Sequence, residues 1–206
     1  MDRDGLFFTI PFLAISIICF YFSLSSLSMP LIYCGLAAFL VAAFMAFFFR
    51  DPERKTPADA AAVFAPADGR IVEVVDENGF RRISIFLSIF DVHVNRIPVS
   101  GKVSRIERKQ GKFLAAFKPE ASRENEQCEI EIESDYGTII TRQIAGVLAR
   151  RIVCRLKTGQ PVKAGERFGL IRFGSRIDIL LPATAEPIVS AKQKVKAGIS
   201  ILARFR

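Results

Sequence analysis

The chain has 206 residues, half of them hydrophobic, with a formal net charge of +8 and a mean hydropathy of +0.29. That is too apolar for a disordered polymer and too long for a disulfide-stapled miniprotein. It leaves either one ordinary domain or a smaller domain joined to a membrane segment. The distribution favours the second: residues 1–49 hold 36 hydrophobic residues and only three charges, Asp2, Arg3 and Asp4, so the positive excess belongs entirely to residues 50–206.

Residues 1–49 are predicted to be a membrane anchor. Two uncharged apolar runs, 6–22 and 31–49, flank the serine-rich stretch 23–30. At 1.5 Å per residue the second run spans roughly 28 Å, close to the ~30 Å of bilayer hydrocarbon, and the first is at the short limit. Ser-Leu-Ser-Met-Pro can turn outside the apolar layer, which predicts a helical hairpin. A secretory signal would need a basic start and a small-residue cleavage site, and Met-Asp-Arg-Asp is not basic. Arg50, Arg54 and Lys55 follow the second run, so the positive-inside tendency places residues 50–206 on the cytoplasmic side of the cell membrane. The same three side chains are expected to orient the domain towards the bilayer.

Residues 50–206 read as β-rich. Alternating or apolar runs bounded by turn residues predict strands at 69–75, 82–87, 101–108, 129–133, 138–144, 151–156, 168–173, 177–181 and 199–205, with a short helical link at 146–150. The apolar stretch 86–90 reads as buried strand in preference to a lipid-touching loop. The expected fold class is mainly β, a β-sandwich or barrel-like domain behind an N-terminal transmembrane helical hairpin. One echo supports this: Val162-Lys163-Ala164-Gly165 recurs 33 residues on as Val195-Lys196-Ala197-Gly198, each a tight turn with glycine at positive φ and a strand after it. Biotinyl and lipoyl carrier domains use similar hairpins, but no lysine here occupies their modified tip motif.

Cys19 and Cys34 lie in the apolar runs and Cys128 and Cys154 beyond them, without a C-x-x-C pair and with a single histidine, His93, in the chain. Neither a disulfide framework nor a metal site is indicated. Clustered stacking aromatics and a groove-reading helix, which a nucleic-acid partner would require of the basic domain, are missing from the pattern. Its charge suits an anionic lipid surface.

Four segments mix a polar group with turn-forming or apolar neighbours: Pro66-Ala67-Asp68-Gly69, Phe90-Asp91-Val92-His93-Val94-Asn95-Arg96, Gln143-Ile144-Ala145-Gly146 and Phe173-Gly174-Ser175-Arg176. Singly they are ordinary. In this order, with Phe49-Arg50-Asp51-Pro52, the run Ile83-Ser84-Ile85-Phe86-Leu87-Ser88 and residues 121–126, they resemble the phosphatidylserine decarboxylase family in its short bacterial and archaeal form.

The resemblance implies a proenzyme that cuts itself at Gly174-Ser175 into residues 1–174 and 175–206, a heteromer of large and small chains that can assemble further. Ser175 Oγ would attack the Gly174 carbonyl, and elimination of the resulting ester would turn Ser175 into a covalent pyruvoyl group, so no external cofactor is required. The pyruvoyl ketone would form a Schiff base with the amine of phosphatidylserine, accept the electrons left as carbon dioxide departs, and yield phosphatidylethanolamine. His93 is the one imidazole able to take the Ser175 proton, and Asp68 is the family-matched carboxylate to orient it, in the logic of a Ser-His-Asp arrangement. Long-form members carry His-x-x-His where this chain has His93 and Arg96, so His93 is open to a role in cleavage, in decarboxylation, or in both. A serine ether lipid of archaeal type would undergo the same headgroup chemistry. From a different class, a non-catalytic membrane-anchored β module that binds lipid or protein fits the same architecture.

Overall fold

The computed structural model describes residues 1–77, 79–115, 120–147, 151–172 and 174–205. The chain forms two units, Met1–Pro52 and Glu53–Arg206. In the first, helix α1 (Arg3–Ser26) and helix α2 (Met29–Phe48) are both long and apolar enough to cross a membrane. Both ends of α1 outrun the apolar stretch 6–22, for local reasons. Asp2 caps it by accepting the Asp4 N–H (3.0 Å), while Ser23 and Ser26 satisfy their hydroxyls on the carbonyls of Phe20 and Phe22 inside the last turns. Leu27, at φ 46°, ends the helix, and Pro30 sits in the first turn of α2, where its missing N–H is not needed. Most of the buried positions of the two helices are small residues, Gly5, Ser16 and Ser23 in α1 and Gly35, Ala38 and Ala42 in α2, with Phe48 the large exception and Ser16 Oγ donating to Gly35 O (2.9 Å). Large apolar side chains such as Phe7, Leu24 and Tyr33 face outward. Small residues inside and apolar ones outside reverse the pattern of a water-soluble hairpin and fit membrane association.

The second unit is mostly β. Its strands are β1 (Ala62–Phe64), β2 (Gly69–Glu77), β3 (Phe80–Leu87), β4 (Val94–Arg96), β5 (Gly101–Lys109), β6 (Gln127–Ser134), β7 (Gly137–Ile144), β8 (Ile152–Cys154), β9 (Pro161–Val162), β10 (Arg167–Ile171), β11 (Ser175–Pro182), β12 (Ala185–Pro187), β13 (Lys194–Val195) and β14 (Ile201–Phe205). An antiparallel eight-stranded sheet, order β13-β2-β3-β11-β7-β6-β5-β9, curls around a core that includes Ile71, Ile85, Leu87, Ile130, Ile177 and Ile179. Two three-stranded sheets, β1-β14-β12 and β4-β10-β8, accompany it. Every predicted strand has a counterpart, those at 151–156 and 168–173 in shortened form, with residue 173 outside the described residues. The additional ones have two or three residues, too few to show a period. The expected strand at 86–90 stops at buried Leu87; Phe90 lies in the turn that follows and is 66% exposed. The expected link at 146–150 falls partly on 148–150, outside the described residues.

The echo between 162–165 and 195–198 is the visible part of an internal two-fold. The eight-stranded order reads the same from either edge once β13 is matched with β9, β2 with β5, β3 with β6 and β11 with β7. Val195 pairs with Gly69 as Val162 pairs with Gly101. Gly198 N–H donates to Ala65 O and Gly165 N–H to Ile97 O, both at 2.8 Å, with φ +67° and +83°. Ala65 N–H returns a bond to Ser200 O and Ile97 N–H to Glu166 O, again at 2.8 Å. Counting from these anchors, Val63 corresponds to Asn95 and Asp68 to Ser100. Along the central strands, Ser175 opposite Leu87 corresponds to Gly137 opposite Ser134, which carries Ile179 onto Thr141 and Leu181 onto Gln143.

Candidate active site

Two links run between the same pair of sheets. Strands β3 and β11 are antiparallel neighbours in the large sheet, and β4 and β10 are antiparallel neighbours in a small one. The β3–β4 link (88–93) and the β10–β11 link (172–174) therefore start and finish beside one another. The first ends in His93, and the second ends in Gly174. Because the strands are antiparallel, Gly174 adjoins the start of the first link and His93 the start of the second, so register sets side by side two segments whose last residues are 81 positions apart, which the motif order alone could not place.

Ser175 opens β11, paired with Leu87, and its side chain lies on the core face with Leu87 and Ile177. It has no exposed surface, and its Oγ has no hydrogen-bond partner among the described residues. Gly174 before it has φ +61°, the left-handed region that disfavours a side chain, and nothing stands within 4 Å of where a Cβ would be. The bond between them joins a residue without a side chain to a serine whose hydroxyl has no hydrogen-bond partner among the described residues.

His93 is 1% exposed. Its Nδ1 lies 2.9 Å from the Asp91 carbonyl oxygen, which can only accept, so Nδ1 carries the hydrogen and Nε2 is the basic nitrogen. The Asp91 carbonyl is itself placed by a tight turn: Asp91 Oδ2 accepts the Ser88 N–H (2.8 Å) and Ser88 Oγ–H (2.7 Å), and Asp91 N–H donates to Ser88 O (3.0 Å). The imidazole is thus oriented by a main-chain carbonyl.

Asp68 does not make that contact. Its carboxylate accepts both terminal nitrogens of Arg54 (2.5 and 2.8 Å) and the Ala197 N–H (2.8 Å). The internal two-fold explains the last bond, because Ser100 Oγ, at the matching position, accepts the Ala164 N–H (3.0 Å) of the matching turn. Asp68 is a turn cap that has acquired an arginine partner. The expectation that Arg54 is free to face a bilayer is corrected by the same observation: its side chain is 7% exposed and also donates to Ala197 O (2.9 Å).

The family model for phosphatidylserine decarboxylase matches residues 41–203, which include both links. The phosphatidylserine decarboxylase proenzyme of Solibacter usitatus is 50% identical over 165 residues, 80% of either chain. That of Pelodictyon phaeoclathratiforme is 42% identical over 198 residues, covering 92% of this chain and 93% of its own, and that of Salinibacter ruber is 46% identical over 173 residues, covering 79% and 76%. The chain belongs to the phosphatidylserine decarboxylase family.

Two sets of contacts in this family member are not marked in the linear sequence, although Asn95, Gln143 and Arg176 lie within segments singled out there. On the core face, Gln143 Nε2 donates to Asn95 Oδ1 (2.8 Å), a contact between residues 48 apart that ties β7 to β4. On the opposite face, the residue after Ser175 anchors a charged network. Arg176, 1% exposed, donates to Asp178 Oδ1 (2.6 Å), Glu73 Oε1 (2.5 Å) and Ser84 Oγ (2.7 Å), while Arg82 donates to Glu73 (2.6 Å) and Glu77 (2.6 Å). Burial opposes ionisation of Glu73, but its bonds to Arg82 and Arg176 outweigh it and hold its pKa below the usual carboxylate value. For Arg82 burial likewise works against the charge, and the bonds to Glu73, Glu77 and the field of Asp178 raise its pKa. This network grips the first turn of the pleat that Ser175 begins.

Proposed function

We propose that this decarboxylase is made as a proenzyme, cuts itself between Gly174 and Ser175, and converts phosphatidylserine to phosphatidylethanolamine and carbon dioxide. The observation that carries the reading is the buried Ser175 Oγ, free of hydrogen bonds among the described residues and preceded by a left-handed glycine, on a link that runs beside the one ending in His93. His93 Nε2 takes the Oγ proton, Oγ adds to the Gly174 carbonyl carbon, and the C–N bond breaks as its nitrogen is protonated, leaving an ester between 174 and 175. Loss of the Ser175 α-proton expels the Gly174 carboxylate. The resulting dehydroalanine takes up water and releases ammonia to leave a pyruvoyl group at the head of residues 175–206.

That ketone supplies an electron sink for decarboxylation of the bound serine headgroup. The chain's own residues do the rest. Strand β11 is held by β3 on one side and β7 on the other, so the small chain stays in the sheet without a covalent link. Separation of the freed ends at 174 and 175 opens the buried position to the headgroup. His93 Nε2, the base of the first reaction, returns a proton to the substrate carbon in the second. Asp91 orients that imidazole through its carbonyl, and Asp68 positions the neighbouring segment by fastening Arg54 and Ala197. Helices α1 and α2 keep the enzyme at the membrane that holds its substrate, with the catalytic unit on the cytoplasmic side.

Intact mass tests this. Native protein is expected as two chains, the smaller of 32 residues with a pyruvoyl start, and to release carbon dioxide from phosphatidylserine vesicles; Ser175→Ala is expected as one inactive chain. An uncut native chain that still decarboxylates, or cleavage of Ser175→Ala at the same bond, would overturn it.

A further inference from the structure

We propose that Asn95 and Gln143 form a neutral amide clamp that holds the carboxylate of the serine headgroup in the cleaved enzyme. The inference rests on the reading of Ser175 as the pyruvoyl precursor of a serine-lipid decarboxylase.

Both amides are fully buried, and after their mutual bond each keeps one unmet group. Asn95 Nδ2 and Gln143 Oε1 have no partner among the described residues, and neither has Ser175 Oγ or Thr141 Oγ1. Buried polar atoms are nearly always paired, so a cluster of orphans beside the bond to be cut calls for an occupant. Register places them together. Gln143 is directly opposite Ile177, hence the diagonal neighbour of Ser175 on the same face, at about 7–8 Å between backbones, within reach of a long side chain.

The internal two-fold supplies the control. The positions matching Asn95, Thr141 and Gln143 in the other half are Val63, Ile179 and Leu181, all part of the apolar core. The architecture is therefore filled equally well by hydrocarbon, and Asn95 and Gln143 stand at the end of the β7–β11 pair where Ser175 begins, while Leu181, the counterpart of Gln143, lies towards the opposite end. The orphaned amide N–H of Asn95 matches a carboxylate oxygen, and the orphaned carbonyl of Gln143 matches the substrate's ammonium. A neutral donor also suits the chemistry. A carboxylate loses its charge as carbon dioxide forms, so an ion pair would stabilise the starting state most, whereas an amide orients the group with less of that penalty.

The test uses full-length protein in detergent micelles and two short-chain lipids that lack an amine and so cannot condense with the ketone. One carries a 3-hydroxypropionate headgroup, which keeps the carboxylate, and the other a propanol headgroup, which does not. Calorimetric binding to cleaved native enzyme is expected to favour the carboxylate lipid. Gln143→Met and Asn95→Leu are expected to cleave as the native chain does, to lose that preference by roughly ten-fold or more, and to bind the propanol lipid unchanged. Equal preference in native and variant enzymes, or parallel loss for both lipids, would overturn the clamp. Failure of both variants to cleave would also overturn it, by assigning the pair to self-processing. If native protein itself neither cleaves nor decarboxylates, the underlying reading has failed instead.

Discussion

Replacing Arg176 by methionine removes a guanidinium of similar reach from a site that is 1% exposed. Its loss strands Asp178, whose side chain has no exposed surface. Among the described residues, only Ser122 Oγ, donating at 2.9 Å, and the more distant Arg82, at 3.6 Å, would then face that carboxylate. Glu73 keeps its bond to Arg82 and is 29% exposed, so it loses little. Breaking a buried pair by deleting one partner costs about 3–5 kcal/mol, and the residual Arg82 puts this case near the lower end, about 3 kcal/mol. For a domain of this size each kcal/mol lowers Tm by roughly 2–4 °C, so a fall on the order of 10 °C is expected. Thermal unfolding of full-length protein in micelles, followed by far-ultraviolet circular dichroism, measures it. The double variant Arg176→Met/Asp178→Leu removes both charges and is expected to recover most of the loss. A single-variant loss below about 1 kcal/mol, or a double variant no better than the single, would refute the account of Asp178 as the stranded charge.

Asp68→Ala is expected to cost about 3 kcal/mol, because it leaves the buried Arg54 guanidinium without its bidentate partner, whereas Ser100→Ala at the matching position should cost only about 1 kcal/mol for one turn-capping bond; denaturant unfolding compares them, and equal losses would contradict the assignment. Glu73 has a depressed pKa in the folded chain, so its contribution is present above its ordinary value of 4.5 and is lost as pH falls through the lower folded value. The stability gap between native protein and Glu73→Gln, measured by denaturant titration at a series of pH values, should therefore close on the acid side of 4.5; a gap that widens there would reverse the sign argued here.

The long strands were legible because an alternating pattern survives wherever one face is buried and the other is not, as along β6 and β7. The two apolar helices were legible for the opposite reason, an unbroken absence of charge. The two-fold showed only as a four-residue echo, since the halves share turn geometry while their core residues differ. Asp68 illustrates the limit within the site. Asp-Gly and a family match pointed to the imidazole, but the carboxylate is claimed by Arg54, fourteen positions earlier, and by a main-chain N–H 129 positions later. The group that does hold His93 is a carbonyl, which every residue possesses and which no sequence pattern marks. The Asn95–Gln143 bond was hidden for a related reason: both residues were within recognisable segments, but only the pairing of β4 with β10 and of β7 with β11 brings those segments to one core face.

Under the proposed cleavage between Gly174 and Ser175, the two-fold accounts for a chain that is cut at this point and remains folded. In one half the strands β6 and β7 are joined by the tight turn at Asp135 and Tyr136. In the other half the corresponding strands, β3 and β11, are joined by everything from residue 88 to residue 174, including β4 to β10. Ser175 therefore opens the ladder at the place where a hairpin would close, and breaking the bond before it removes none of the pairings from Ser175–Leu87 to Pro182–Phe80. A cut within β11 would forfeit those pairings, and a cut in a distant loop would leave no new chain end on the link that neighbours the one ending in His93. The start of β11 combines an end that can be released with a strand that cannot leave, which is what a residue must have to become a chain terminus and stay fixed in a buried site.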